Sequence, residues 1–201
     1  MTIKISKPEQ DRQFNLGYHL AFETKSKKKN WGNIIALWSL AANNGHKRAQ
    51  FYLGTCYDNG LGVDRDIKEA YKWYLKAANQ GHMESQYNIG FFYKTGELRK
   101  QNYKKAVHWF TLAATKGDTE AQRDLGYCYF YGHGINEDYK KSVYWYKKAA
   151  SKNDTKALYN LGLCYKHGDG VNQSKRWSAF YFDKAAKLGH KDAKKELKAS
   201  T

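Results

Sequence analysis

Two short fragments of this sequence resemble pieces of an acyl-transfer site. Ser26 and Lys29 form the spacing SxxK found around serine nucleophiles, and residues 94–96 read KTG. Both fragments occur in penicillin-recognising enzymes, but the SDN element that accompanies them there is missing from this chain. The first fragment lies in a run of lysines, and short matches of this kind often arise by chance. We therefore expect no catalytic residues and no enzyme activity.

The histidines and cysteines lack the spacing of a metal site. No HExxH or CxxC pattern occurs, so the sequence predicts neither a metalloprotease centre nor a zinc ribbon, and we expect no cofactor. His46, His82 and His190 each follow a glycine at equivalent points of a repeat, where we expect a structural role. Three cysteines also share one repeat position, which predicts buried thiols too far apart to pair: Cys56, Cys128 and Cys164.

A glycine-rich turn of the kind that can cradle a phosphate recurs along the chain. It reads YLGTCYDNGLGV at residues 52–63, DLGYCYFYGHGI at residues 124–135 and NLGLCYKHGDGV at residues 160–171. Leu125 and Leu161 stand 36 residues apart, and the neighbouring glycines keep the same interval. A fixed period of this size indicates a solenoid of repeats. The glycines are therefore predicted to shape turns and not to bind a nucleotide.

Each repeat is predicted to contain two helices. The first, for example residues 48–58, places Leu53 and Tyr57 on one apolar face, and the second lies near residues 66–79. Between them stand glycines such as Gly60, which adopt the positive φ that ends a helix and turns the chain. Helix, turn, helix is the predicted unit.

These columns resemble the Sel-1-like repeat family, a relative of the tetratricopeptide repeat. The family pattern AxxxLGxxYxxGxGV followed by AxxWYxKAAxxGH is nearly intact over residues 49–63 and 70–82. The resemblance implies an all-α fold, a right-handed α-solenoid of stacked helix-turn-helix repeats of about 36 residues. We predict a single solenoid domain over residues 1–201, with a degenerate first repeat at 1–44, four regular repeats at 45–190 and a C-terminal capping helix at 191–201.

The chain is strongly basic. Lys and Arg total 35 against 19 Asp and Glu, which gives a net charge of +16. Most of the excess is predicted on second helices and turns, where it would attract nucleic acid or an anionic membrane without specificity. The lysine-rich segment 23–30 is predicted to be a loop. No apolar run is long enough for a secretion signal or a membrane span, so we expect a cytoplasmic protein without membrane insertion, and delivery into another cell stays open.

By analogy with tetratricopeptide helices, the resemblance implies that the first helices line a concave surface where a partner binds. The variable positions on that face are rich in aromatic residues, which carry much of the binding energy at protein interfaces. The alternative, that several of these rings pack between helices, stays open. The candidate partner-binding residues are Phe51, Tyr52, Thr55, Tyr87, Asn88, Phe91, Lys94, Arg123, Asp124, Tyr127, Phe130, Tyr131, Tyr159, Asn160, Leu163, Lys166 and His167.

The sequence thus predicts a non-catalytic protein–protein interaction module, an adaptor or scaffold that binds a protein or peptide. Two alternatives remain: an immunity protein that neutralises a cognate toxin, and a basic solenoid that binds nucleic acid. Single-strand binders combine stacking rings with positive charge on one surface. Here the rings are predicted on a nearly neutral face and the lysines on others, so a protein partner ranks ahead of nucleic acid. The sequence does not predict an oligomeric state.

Overall fold

The computed structural model describes residues 3–25, 28–98 and 100–199, and within these ranges every regular element is a helix. Helix α1 (Lys7–Tyr18) continues into a π-helical segment, His19–Glu23. The other helices are α2 (Trp31–Asn43), α3 (Lys47–Asn59), α4 (Ile67–Asn79), α5 (Met83–Thr95), α6 (Tyr103–Thr115), α7 (Thr119–Tyr131), α8 (Tyr139–Ala150), α9 (Thr155–His167), α10 (Lys175–Lys187) and α11 (Lys191–Ala199). None of the helices so described is long and apolar enough to cross a membrane.

The helix order confirms the predicted all-α fold, an α-solenoid of helix-turn-helix repeats. The pairs α3–α4, α5–α6, α7–α8 and α9–α10 form the four regular repeats, each about 36 residues long. Helices α1 and α2 occupy the degenerate first repeat, and α11 occupies the predicted capping position. The grouping of all repeats into one domain stays a prediction.

Polar caps in the sequence fix where the second helices begin. The Asp66 carboxylate accepts hydrogen bonds from the backbone N–H groups of Lys68 at 2.9 Å and Glu69 at 3.0 Å. A cap of this kind stabilises a helix by roughly 1 kcal/mol because it satisfies backbone donors that have no partner within the helix. The same role falls to the residues before α6, α8 and α10, which are Asn102, Asp138 and Ser174.

Each first helix ends at a glycine in the left-handed conformation, as predicted. The φ angle is 68° at Gly60 and 65° at Gly132, and the glycines that end α5 and α9 adopt similar values. The turn is then closed by the capping residue of the second helix, whose N–H donates to the preceding first helix. In the first regular repeat this bond joins Asp66 to the carbonyl of Tyr57 at 2.9 Å, and it recurs in the other three.

The first compact unit comprises Met1–Phe92 and Gly96–Lys100. Its core is built around Phe14, Trp38 and Leu53, which come from α1, α2 and α3. The indole N–H of Trp38 donates to the carbonyl of Phe14 at 3.3 Å, so the buried ring keeps its polar group satisfied. The irregular first repeat is therefore packed in the same way as a regular one.

Of the lysine-rich segment predicted as a loop over residues 23–30, Glu23 ends the π-helical segment, whereas Thr24, Lys25 and residues 28–30 lie outside any helix. Lys29 donates to the carbonyl of Thr24 at 2.8 Å, and Asn30 caps α2 by accepting from the N–H of Asn33. Ser26 and Lys27 fall outside the described residues. The predicted SxxK fragment therefore cannot be placed, and its assignment as a chance match stays a prediction.

The second compact unit comprises Tyr93–Thr95 and Gln101–Thr201. Its core contains Tyr146, Leu161 and Phe182, from α8, α9 and α10. The two helices of a repeat approach closely because the first carries glycine where the second carries a ring. A Cβ added to Gly162 would lie 2.4 Å from the Phe182 ring, closer than any real contact. Glycine in this column is thus required by packing.

Where a turn carries a second glycine, that glycine packs on the preceding repeat; the turn after α5 has Leu98 at this position. A Cβ at Gly134 would lie 2.3 Å from the carbonyl carbon of Tyr103, and one at Gly170 would lie 2.3 Å from the carbonyl oxygen of Tyr139. Tyr103 and Tyr139 are the first residues of α6 and α8. The turn of one repeat therefore lies directly on the backbone at the start of the second helix of the repeat before it.

Candidate functional site

Five of the predicted partner-binding residues meet in one cleft of the second compact unit, which we call the aromatic cleft. Those from α7 follow the i, i+3, i+4 spacing that places side chains on one helix face, and those from α9 follow i, i+3. The cleft has a volume of about 60 Å³. It is lined by Tyr127, Phe130 and Tyr131 of α7, Asn160 and Leu163 of α9, and Tyr146 of α8.

The rings of the aromatic cleft hold one another in place. Tyr131 is the most open of them, with 54% of its surface exposed, and its ring centroid lies 4.6 Å from Tyr127 and 4.9 Å from Phe130. Phe130 is supported in turn by Tyr139 at 5.0 Å. Tilted and edge-on contacts of this kind are the favoured arrangements of aromatic pairs. The exposed ring of Tyr131 is therefore presented by a fixed set of neighbours.

An ion network lies beside the aromatic cleft. The Asp124 carboxylate is 3.2 Å from both Lys94 Nζ and Arg123 Nε, and Arg123 Nη1 is 3.0 Å from Asp154 Oδ2. Asp124 is only 4% exposed, and a buried charge is stable only with close partners. The network leaves this face close to neutral. Asp124 thus holds Lys94 and Arg123 in position.

A residue of one first helix meets the capping residue of the next. Tyr159 stacks on His190 at 4.4 Å in the same way that Phe51 stacks on His82 at 4.6 Å. Where the capping residue is Asp154, the first-helix residue is Arg123. An ion pair then replaces the stacked rings. Phe51, Arg123 and Tyr159 each contact the capping residue of the next first helix, and their role in partner binding stays a prediction.

The last two predicted residues lie apart from the aromatic cleft. Lys166 pairs with Glu196 of α11 at 2.6 Å, and His167 is exposed at the end of α9. Both line a different and larger cleft, together with Lys175 and Arg176 of α10. The structure therefore divides the predicted set of the second unit between two surfaces.

The predicted residues of the first compact unit are more deeply packed. Tyr52 lies among rings of the first two helices, with Trp38 at 5.1 Å, and the hydroxyl of Thr55 is 3.3 Å from that of Tyr74. Tyr87 and Asn88 are half-buried. Phe91, with 40% of its surface exposed, is the most open of the group. Tyr52 and Thr55 therefore contact neighbouring helices, and their role in partner binding stays a prediction.

The sequence prediction missed the contribution of the second helices. Tyr146 lines the aromatic cleft from α8, and Tyr139, 37% exposed, extends its aromatic surface. The prediction covers first-helix positions alone, because the analogy with tetratricopeptide helices places binding there. A usable signal was present: Tyr139 shares a repeat column with Ile67 and Tyr103, so a large apolar or aromatic residue stands there in three of the four regular repeats.

The described ranges contain no group of three or more His, Cys, Asp or Glu side chains that could hold a metal ion. Lys94 of the KTG fragment is tied into the ion network, and Gly96 ends α5 as a left-handed cap. The three thiols are buried, and burial raises the pKa of Cys56, Cys128 and Cys164 to about 12. Thiols held protonated in this way are poor nucleophiles, as expected for structural cysteines.

Comparison with known proteins identifies a repeat family. A family model described as the Sel1 repeat matches residues 47–82, 84–118, 119–154 and 155–190, together well over half of the chain. These bounds agree with the helix pairs from α3–α4 to α9–α10. Matches to curated relatives are short: they cover from 19% to 31% of this chain, and the chain spans only 8% of the length of those relatives.

Solved structures resemble the chain over most of its length. A protective antigen present in uropathogenic Escherichia coli strains matches with a TM-score of 0.87 and 34% identity, over 94% of this chain and 40% of that one. A Sel1 repeat protein from Oxalobacter formigenes matches with a TM-score of 0.82 and 32% identity, over 94% and 76%. An immunity protein from Pseudomonas aeruginosa is similar in fold alone, at 0.55 and 22%, over 95% and 70%.

Proposed function

Because the chain belongs to the Sel1 repeat family, we propose that it is a non-catalytic interaction module that binds a protein partner at the aromatic cleft. The observation that carries the proposal is the convergence of Tyr127, Phe130 and Tyr131 with Asn160 and Leu163 around one opening. Rings that are already held in place lose little conformational freedom on binding, which favours affinity. The partner is a protein segment or a small folded protein.

Tyr131 is the proposed anchor of this interaction. Its half-exposed ring offers apolar area and a hydroxyl, the combination that makes tyrosine frequent among the few residues that dominate interface energies. Asn160 stands beside it, and its amide can both donate to and accept from the backbone of a bound segment. The aromatic cleft therefore suits an apolar or aromatic side chain of the partner, with a nearby peptide group held by Asn160.

The other candidates support this surface in different ways. Lys94, Arg123 and Asp124 hold the face near neutrality through the ion network. In the first compact unit Phe91 is the proposed contact, with Tyr87 at 6.2 Å beside it. Paired charges favour recognition by shape and apolar contact over recognition by net charge.

Partner capture with a matched pair of variants tests the proposal. Tyr131→Ala removes a ring of the aromatic cleft, whereas Tyr144→Ala removes a ring of nearly equal exposure, 52%, from a position on α8 that does not line this cleft. We expect a stoichiometric protein to be captured from nuclease-treated lysate of the source cell by the wild type and by Tyr144→Ala. Its affinity for Tyr131→Ala should fall by about tenfold or more, as for an interface anchor.

Three results would contradict the proposal. One is an equal loss in both variants, which would indicate a general effect of removing exposed rings. Another is capture that appears only when the nuclease is omitted, which would favour nucleic acid bound by the lysines. The third is turnover of a substrate by the purified protein. The choice between an adaptor and an immunity protein stays a prediction, since the likeness to the immunity protein shows the fold alone.

A further inference from the structure

The second cleft of the second compact unit has a basic lining. It lies where α9 ends and α10 begins and has a volume of about 800 Å³. Its lining contains the cationic residues Lys166, Lys175 and Arg176, with His167 beside them. Lys166 is paired with Glu196, but Lys175 and Arg176 are exposed at the start of α10. We call this opening the terminal basic cleft.

Two repeats of this unit show what packs against the start of a second helix. The turn of one repeat lies on the first residues of the preceding second helix, with Gly134 on Tyr103 and Gly170 on Tyr139. Lys175 is the next member of that column, 36 residues after Tyr139, and it lines an open cleft. The terminal basic cleft therefore has the geometry of a position where, twice within this unit, a glycine-containing turn of polypeptide is docked.

The residue type changes at this point of the column. Tyr103 is half-buried and Tyr139 is 37% exposed, and both are aromatic. Lys175, in contrast, is charged and exposed. A turn that docks here meets Lys175, Arg176 and His167. Opposite charge is what would make its contact favourable and specific.

From this geometry and charge we propose that the terminal basic cleft binds an acidic, glycine-containing turn of a partner polypeptide. The surface is separate from the aromatic cleft, so the proposal goes beyond the function proposed above. Aspartate or glutamate of the partner pairs with Lys175 and Arg176, and a glycine allows close approach to the backbone of α10, as Gly170 does at α8.

A second copy of this chain does not fit the same position. Each copy carries a net charge of +16. Like charges brought together cost binding energy, so the charge pattern disfavours end-to-end association and favours an acidic partner.

Fluorescence anisotropy with a labelled peptide tests the proposal. The probe is the peptide DGDGVDED, which keeps the glycine spacing of the chain's own turn GDGV, and its control is the amide analogue NGNGVNQN. The variant is Lys175→Glu with Arg176→Glu. The control variant, Lys191→Glu with Lys194→Glu, makes the same change in net charge at exposed residues of α11 that do not line the cleft.

We expect the acidic peptide to bind the wild type and the α11 variant, and to bind the α10 variant about tenfold or more weakly, as for the loss of charge-assisted hydrogen bonds. Tyr131→Ala should bind the peptide as the wild type does, which separates this site from the aromatic cleft. Equal binding of the amide analogue, or equal losses in both charge variants, would overturn the proposal. So would a short single-stranded oligonucleotide that binds more tightly than the peptide and depends on Lys175 and Arg176.

Discussion

At the scale of the single residue, His46 has two roles: it caps α3 and it contacts Asp11 and Phe14 of α1. Its Nδ1 accepts the N–H of Ala49 at 3.0 Å, its Nε2 lies 3.1 Å from a carboxylate oxygen of Asp11, and its ring stacks on Phe14 at 4.6 Å. The cap requires an unprotonated Nδ1. Burial lowers the pKa of His46, and the nearby Lys7 ammonium lowers it further.

The lowered pKa of His46 predicts that stability depends on pH. Between the lowered pKa and the ordinary value near 6.5, the unfolded chain binds more protons than the folded chain. The contribution of His46 to stability is therefore complete above pH ~6.5 and is lost as the pH falls below it. Urea unfolding at a series of pH values should show this fall in the free energy of unfolding.

His46→Asn is the matched variant, because asparagine caps a helix without titrating in this range. The fall in stability between neutral and mildly acidic pH should be smaller in His46→Asn than in the wild type. An identical pH dependence in both proteins would show that other groups cause the effect.

At the scale of the helix pair, Gly162 sets how closely α9 approaches α10. Gly162→Ala places a methyl group against the Phe182 ring and should destabilise the protein by about 1–3 kcal/mol through overpacking. Gly32→Ala is the control, because the nearest atom to its added Cβ is 3.7 Å away. That change should be neutral or stabilise α2 by up to about 1 kcal/mol. Thermal unfolding measures both, and a similar loss in the two variants would contradict the packing argument.

The contact between capping residue and first helix is also predicted to couple neighbouring repeats. Tyr159→Arg together with His190→Asp would replace the stacked rings with an ion pair like that of Arg123 and Asp154. Each single variant removes the stacking of the two rings without forming the ion pair, so the double variant should be more stable than the sum of the two losses predicts, by about 0.5–3 kcal/mol. A double-mutant cycle in urea measures this coupling, and strict additivity would show that the pair does not interact.

The helices and turns could be predicted from the sequence, because they depend on interactions between residues that are close together in the chain. Caps such as Asp66, glycines that require positive φ, and the apolar face of each first helix all act within a few residues, so their effects can be predicted without a structure. Part of the aromatic cleft could be predicted for the same reason, because Tyr127, Phe130 and Tyr131 share one helix face.

The roles of variable positions could not be predicted in this way. Arg123 and Tyr159 occupy one repeat column and differ in type, which suggested contact with a partner. In the structure the difference follows the capping residue of the next repeat, Asp154 or His190. A buried glutamine column was missed for a related reason: Gln122 donates to the carbonyl of Ala114 at 3.1 Å, a contact with the preceding helix. Such pairings depend on packing between segments that are distant in sequence.

At the scale of the whole molecule, net charge and binding surface are separate properties. The chain carries a net charge of +16, and the lysines predicted on the second helices are exposed. Several lie over tyrosine rings, as Lys105 does over Tyr93 at 5.3 Å. The ion network keeps the surroundings of the aromatic cleft close to neutral. The excess charge is therefore expected to govern solubility and non-specific attraction.

Any affinity for single-stranded DNA is accordingly predicted to be non-specific and sensitive to salt. Changing five exposed lysines to glutamine should reduce the slope of log K against log salt by up to about 3.5, the value for five released counterions on a single strand. The five are Lys104, Lys140, Lys141, Lys147 and Lys148. Protein partner binding should be unchanged in this variant. Tight binding of one DNA sequence at high salt would contradict the prediction.

The matched pairs of capping residue and first-helix residue also limit how repeats of this chain can be exchanged. A gene duplication or an engineered splice that cuts at the glycine turn between the two helices of a repeat would separate the two members of a pair, for example Tyr159 from His190. A cut directly after the capping residue, at the repeat boundaries that follow His82, Asp154 and His190, would carry each pair across intact. Recombination in this chain should therefore be best tolerated with crossover points between the repeats and not inside them.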